Sequence, residues 1–205
     1  MTVLGSVLLA AGLCLPTAGT SSPPDSLAML WQRGLPYRQF LAAARERRAQ
    51  WLRVDSVATV PDALVTRARN AGRWKLLVLT VHACTDSINV LPYLARLAEL
   101  APNLELRIAD TTGGRWVMEA HRTPDHRAAT PTVVLLDDAF AERGCWLERP
   151  SDLQRWYIGG GRNLPDTTQR REKFAWYERD AGRQTLTEIV TMIEAAGRGG
   201  RTCAG

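Results

Sequence analysis

The sequence predicts an α/β fold: a mixed central sheet with helices on both faces and helical extensions at both ends. Three observations lead there. KLLVLTV, Lys75 to Val81, is a continuous apolar, β-rich run of the kind that forms a central strand covered on both sides. NLELRIAD (Asn103 to Asp110) and TPTVVLLDD (Thr130 to Asp138) read as two further strands, and helix-patterned segments separate the three. The first connection is long enough for a crossover helix, so those strands run parallel with right-handed topology. Asp137-Asp138 turns the chain tightly, so AERGCWLE (Ala141 to Glu148) returns antiparallel and the sheet is mixed.

The elements follow in order. SSPPDS, Ser21 to Ser26, is a linker by composition. LPYRQFLAAARERRAQW reads as one helix, with Pro36 at its first position and Tyr37, Phe40, Leu41 and Ala44 on one face. PDALVTRARNAG, Pro61 to Gly72, is a second, stopped by glycine. SINVLPYLARLAEL, Ser87 to Leu100, places Ile88, Leu91, Leu94, Ala95 and Ala98 on one face, with Pro92 predicting a kink. GRWVMEAHR is a short helix before the third strand. After RPSD, TQRREKFAWYERDAG and QTLTEIVTMIEAAG read as helices, the second carrying Leu186, Ile189, Val190 and Ile193 on one face. IGGGR, Ile158 to Arg162, lacks the strand and helix that flank a phosphate loop and reads as a flexible connection. These elements divide the chain into a prefix and linker at 1–28, one domain at 29–197 and a glycine-rich, disordered tail at 198–205.

Composition excludes some functions. The 205 residues suffice for one domain with a sizeable core, and 45% hydrophobic with 23% charged residues is ordinary for a globular protein. The net charge of +5 is modest. Its basic runs, Ala44 to Gln50 and Gln169 to Lys173, contain interspersed acids and read as solvated helix faces, so no nucleic-acid partner is expected. Cys14, Cys84, Cys145 and Cys203 are too few for a disulfide scaffold and too far apart in sequence for a zinc motif. The three histidines show no ligand spacing, and His121 and His126 merely flank RTPD, so no metal and no cofactor is expected.

VLGSVLLAAGLCL, Val3 to Leu15, has the length of a signal-peptide core, and PTAGTSSPP after it offers a small-residue cleavage site. No Lys or Arg precedes the run, and it is too short to span a bilayer, so no stable membrane span is expected. Leu13 is too large for the residue before a lipidated Cys14, and Met29 offers a second translation start. A cytoplasmic location is favoured; a secreted or periplasmic one follows if the run is a signal peptide.

Cys84 is the residue with chemistry to offer. It ends the apolar strand and opens the next helix, where unsatisfied N–H groups and the positive end of the helix dipole favour thiolate over thiol. His82 when protonated would add to this and Asp86 would oppose it. The plain alternative is a packed, inert thiol. Ser87 stands where Cys-x-x-Cys spacing puts a second cysteine; as a hydroxyl it resolves no mixed disulfide, and it reads either as a surface or capping group or as a hydrogen-bond partner of the Cys84 sulfur. Cys145 reads as strand packing. Cys203 reads as a free tail thiol, or as a distant resolving partner for Cys84.

A cysteine at this strand–helix junction, Pro92 further along the helix and Thr130-Pro131 before the later strand resemble the thioredoxin family. PYRQFL, ACTDS, PNLELRIAD and GCWLERP, in that order between about Met29 and Ala196, resemble a bacterial subgroup of thioredoxin-like proteins. The resemblance implies a thioredoxin fold and a cis Thr130-Pro131 bond facing Cys84, its backbone open to an extended peptide. It implies a catalytic Cys84 with Ser87, and substrate contacts at Ala83, Thr85, Asp86, Thr130 and Pro131. Partners would be protein or small-molecule thiols and disulfides. Three departures narrow this: Ala83 replaces the usual tryptophan, Ser87 the second cysteine and Val78 the buried acid. What is left is monothiol exchange through Cys84, completed by an outside thiol such as glutathione. The rival is a non-catalytic peptide-binding module that has lost the dithiol activity.

Overall fold

The computed structural model of the chain describes residues 26–204. The apolar run at 3–15, Cys14 and the stretch to residue 25 lie outside them. Ser26 caps the first helix, α1 (Leu27–Arg33), its hydroxyl accepting from Met29 N–H. The chain continues through β1 (Leu35–Pro36), α2 (Tyr37–Ala43), α3 (Arg48–Val57), α4 (Asp62–Asn70), β2 (Trp74–Leu79), α5 (Thr85–Leu100) and β3 (Leu104–Ala109). It then forms α6 (Arg115–Ala120), β4 (Thr132–Leu136), β5 (Glu142–Leu147), α7 (Ser151–Gly159), α8 (Asp166–Asp180), α9 (Arg183–Gly197) and β6 (Thr202–Ala204). Among the described residues no helix is long and apolar enough to cross a membrane.

The strands form one sheet in the order β1-β3-β2-β4-β5-β6. β2 and β3 run parallel, while β4 pairs antiparallel with β2 and β5 antiparallel with β4. The apolar run of β2 has a direct physical cause. Leu76 and Val78 join the core built with Leu91 and Leu94 of α5 and Ile189 and Ile193 of α9. Leu77 and Leu79 face the opposite layer, with Leu30, Trp31, Val117 and Met118 from α1 and α6. Alternate residues point to opposite faces of a strand, so a strand covered on both sides needs an apolar residue at every position.

Three expectations need correction. The helix read through Leu35 to Trp51 begins later, because Leu35 and Pro36 form β1, and it is two, α2 and α3, separated by extended Ala44 and left-handed Arg47 (φ 53°). The Arg48 guanidinium donates to the carbonyls of Leu41, Ala42 and Ala44 at 3.2–3.5 Å, so groups left open where α2 ends are still bonded. Phe40, Leu41, Trp51 and Val54 all reach the same core, and the apolar spacing records that shared burial and not backbone continuity. The tail read as disordered supplies β6, parallel to β5, with Cys203 in register with Cys145. Gly144 permits that close approach, since a Cβ there would lie 2.8 Å from Thr202 O. Cys145 and Cys203 are joined as a disulfide, so Cys203 is neither a free thiol nor a partner of Cys84.

Candidate functional site

Cys84 is the N-cap of α5, and its sulfur accepts the Ser87 N–H at 3.4 Å. The sulfur therefore takes the place of a capping oxygen for one of the donors that every helix start leaves unpaired. Across from it the Thr130–Pro131 peptide is cis, and the Cys84 S–H donates to the Thr130 carbonyl at 3.2 Å. Cys84 is half-buried; Ala83 beside it is exposed, and Pro131 is buried. The thiol opens into a cavity of about 720 Å³, walled by the α2–α3 turn, the segment Arg127–Thr130 and α8.

The other expected residues divide. Ser87 is fully buried, and its hydroxyl lies 2.5 Å from the Thr80 hydroxyl, so only its backbone N–H serves the sulfur. His82 stacks on Phe40 and bonds the Phe40 carbonyl through Nε2. Thr85 accepts from Lys173 Nζ through its hydroxyl at 3.0 Å. Asp86 is turned inward and buried, with Lys173 Nζ at 3.0 Å and the Tyr177 hydroxyl at 2.9 Å. The Arg149 guanidinium lies 3.4 Å from the Asp86 carboxylate. Arg149 also meets Glu148 at 2.7 Å, Glu148 meets Arg127 at 2.7 Å, and Arg127 meets Asp125 at 2.7 Å.

Sequence reasoning missed this network beneath the thiol. Lys173, Tyr177, Arg149, Arg127, Glu148 and Asp125 belong to it, and Lys173 corrects the reading of Gln169 to Lys173 as a solvated face. One signal was available: Lys173 and Tyr177 are four residues apart and share a helix face. Three carboxylates face three cations, so the Asp86 charge is balanced locally. Burial, with the neighbouring Asp86 charge, holds the Tyr177 phenol well above its ordinary range, and it stays a donor.

His121, Cys145 and Cys203 bring their donor atoms within 4.8 Å of one another. The donor set does not suit a metal as it stands. The sulfurs bond each other, and the ring nitrogens of His121 bond the Val117 carbonyl and Glu142.

The solved structures of a protein of unknown function from Pseudomonas aeruginosa and of an HIV epitope-scaffold share this architecture. The first has a TM-score of 0.63 at 24% identity, covering 83% of this chain and 98% of that one. The second has a TM-score of 0.64 at 21% identity, with coverage of 83% and 98%. Both likenesses speak for the fold. No curated protein matches the sequence. The family model described as Thioredoxin matches residues 34–170, which include Cys84 and Thr130-Pro131. This chain belongs to the thioredoxin family.

Proposed function

We propose that the thioredoxin-type role of this chain is monothiol exchange at Cys84. The observation that carries the reading is the placement of the sulfur: it caps α5, faces the Thr130 carbonyl and opens into a cavity. A substrate N–H that donates to Thr130 O would displace the Cys84 S–H from that carbonyl, and the thiol proton would pass to solvent. The thiolate then attacks a disulfide sulfur. One Cys84–S bond forms, the substrate S–S bond breaks, and the second sulfur leaves as a thiolate that takes a proton from water. Ser87 supplies no second sulfur, so an external thiolate must attack the mixed disulfide and return Cys84 to the reduced state. Cys145 and Cys203 are already paired with each other.

The test uses hydroxyethyl disulfide, which is small and neutral. Peptide mapping should find an adduct on the Cys84 peptide, counted separately from any on the Cys14 peptide and absent from Cys84→Ser, and an added thiol should release it. A folded protein that stays unmodified while the denatured chain reacts refutes the exchange reading and leaves the binding-module reading.

A further inference from the structure

The cavity beside Cys84 carries a charge surplus that the fold does not consume. Behind the thiol, Asp86, Asp125 and Glu148 are matched by Lys173, Arg127 and Arg149. That network sums to zero, and Arg162, 3.9 Å from Asp125, tips it positive. Two further arginines line the cavity, Arg47 and Arg170. Both are exposed, and neither forms an ion pair among the described residues. Among the described residues the only side-chain hydrogen bond of Arg47 is to Gln50, at 3.3 Å. Arg47 also holds a left-handed backbone (φ 53°), a conformation costing a non-glycine residue on the order of 1 kcal/mol. The fold thus places a cationic side chain at the cavity mouth in a backbone conformation that glycine adopts more easily, with little intramolecular bonding to show for it.

We propose that this cavity selects low-molecular-weight disulfides bearing carboxylates, which Arg47 and Arg170 bind while the sulfur reaches Cys84. The inference rests on the reading of Cys84 as nucleophile and names its substrate class. Guanidinium groups suit it, since each can grip a carboxylate through two N–H donors. The cavity volume, about 720 Å³, accommodates a small peptide-sized ligand. Walls on three sides favour such a ligand over a flat protein surface.

The test compares three disulfides of similar size: dithiodipropionate (anionic), hydroxyethyl disulfide (neutral) and cystamine (cationic). Rates of adduct formation at Cys84 are divided by those of mercaptoethanol, which removes each reagent's own reactivity. The normalised anionic-to-cationic ratio should be about tenfold at low ionic strength and fall toward one in high salt. In Arg47→Gln/Arg170→Gln it should drop at least threefold. A wild-type ratio at or below one, or an unchanged ratio in the double variant, overturns the proposal. Calorimetry with S-methylglutathione, which keeps the carboxylates but has no reactive sulfur, separates the two readings. Binding that weakens severalfold in the double variant, beside an inert Cys84, removes the exchange reading and keeps the anion site. A reactive Cys84 with neither charge preference nor binding does the reverse.

Discussion

Lys173→Met isolates the buried network under the thiol. Lys173 Nζ donates to Asp86 and to Thr85, both at 3.0 Å, and the lysine and aspartate side chains are 10% and 8% exposed. Methionine keeps much of the aliphatic volume and removes the charge, so Asp86 loses its nearest cation and the network, the exposed Arg162 aside, changes from zero to one net negative charge. Removing one partner of a buried pair costs about 3–5 kcal/mol. Asp86 keeps the Tyr177 hydroxyl and a share of Arg149, so the lower end, about 3 kcal/mol, applies. For a chain of this size that is about 6–12 °C of melting temperature. Asp86→Asn/Lys173→Met restores the balance, because it deletes one charge of each sign. It should therefore be less destabilised than the sum of its single variants by at least about 1 kcal/mol. Urea denaturation of wild type, both single variants and the double variant measures the coupling. A Lys173→Met cost below about 1 kcal/mol, or strict additivity in the cycle, refutes the reasoning that an intact charge balance stabilises this site.

Three other outcomes are expected. Cys203→Ser opens the link that closes a 58-residue separation, and the loop-entropy ceiling of about 4 kcal/mol predicts a lower melting temperature than oxidised wild type; equal melting temperatures would show that the disulfide contributes nothing. The hydrogen bond to Glu142 outweighs burial and raises the His121 pKa above its ordinary 6.5, so the folded state holds this proton more tightly than the unfolded chain. That stabilisation is complete below pH 6.5 and is lost as pH rises through the raised folded value; denaturation curves across this range should show the fall, and Glu142→Gln should flatten it. The Arg127 hydrogen bond, working against burial, lowers Asp125 from 3.8 to about 2, so its contribution is present above pH 3.8 and disappears as pH falls through about 2. Arg127 is 40% exposed and solvent screens the pair, so Asp125→Asn should cost only about 1 kcal/mol at neutral pH, an effect that shrinks below pH 3.8 and is lost as pH falls through about 2.

What the sequence made legible follows the range of the interactions involved. β2, β4 and α5 could be read because each is apolar and largely buried, so local pattern and tertiary packing agree. Cys84 could be placed at a strand–helix junction from local pattern, but its position opposite Thr130 came only from the resemblance to the thioredoxin family, since no local signal links the two segments. α1 and β1 leave little local signal, since α1 is a short helix and β1 has two residues. The charged network escaped for a different reason. Lys173 and Asp86 are 87 residues apart, and Tyr177, one turn beyond Lys173, is the single nearby hint that either is buried. A local reading sends every lysine to solvent, since an unpaired one belongs there. Cys203 escaped likewise, because its partner is set by the register of β6 on β5. The same blindness bears on the motif itself. Read locally, Cys-Thr-Asp-Ser is a dithiol motif with one sulfur missing. In the fold, its aspartate anchors the first turn of α5 to α8 through Lys173 and Tyr177, and its threonine shares that lysine. Its serine donates a backbone N–H to the sulfur and pairs its hydroxyl with that of Thr80. The three residues after Cys84 are thus all bonded in ways that fix the cysteine at the start of α5, and the monothiol exchange proposed for it would require that fixing as much as dithiol exchange would.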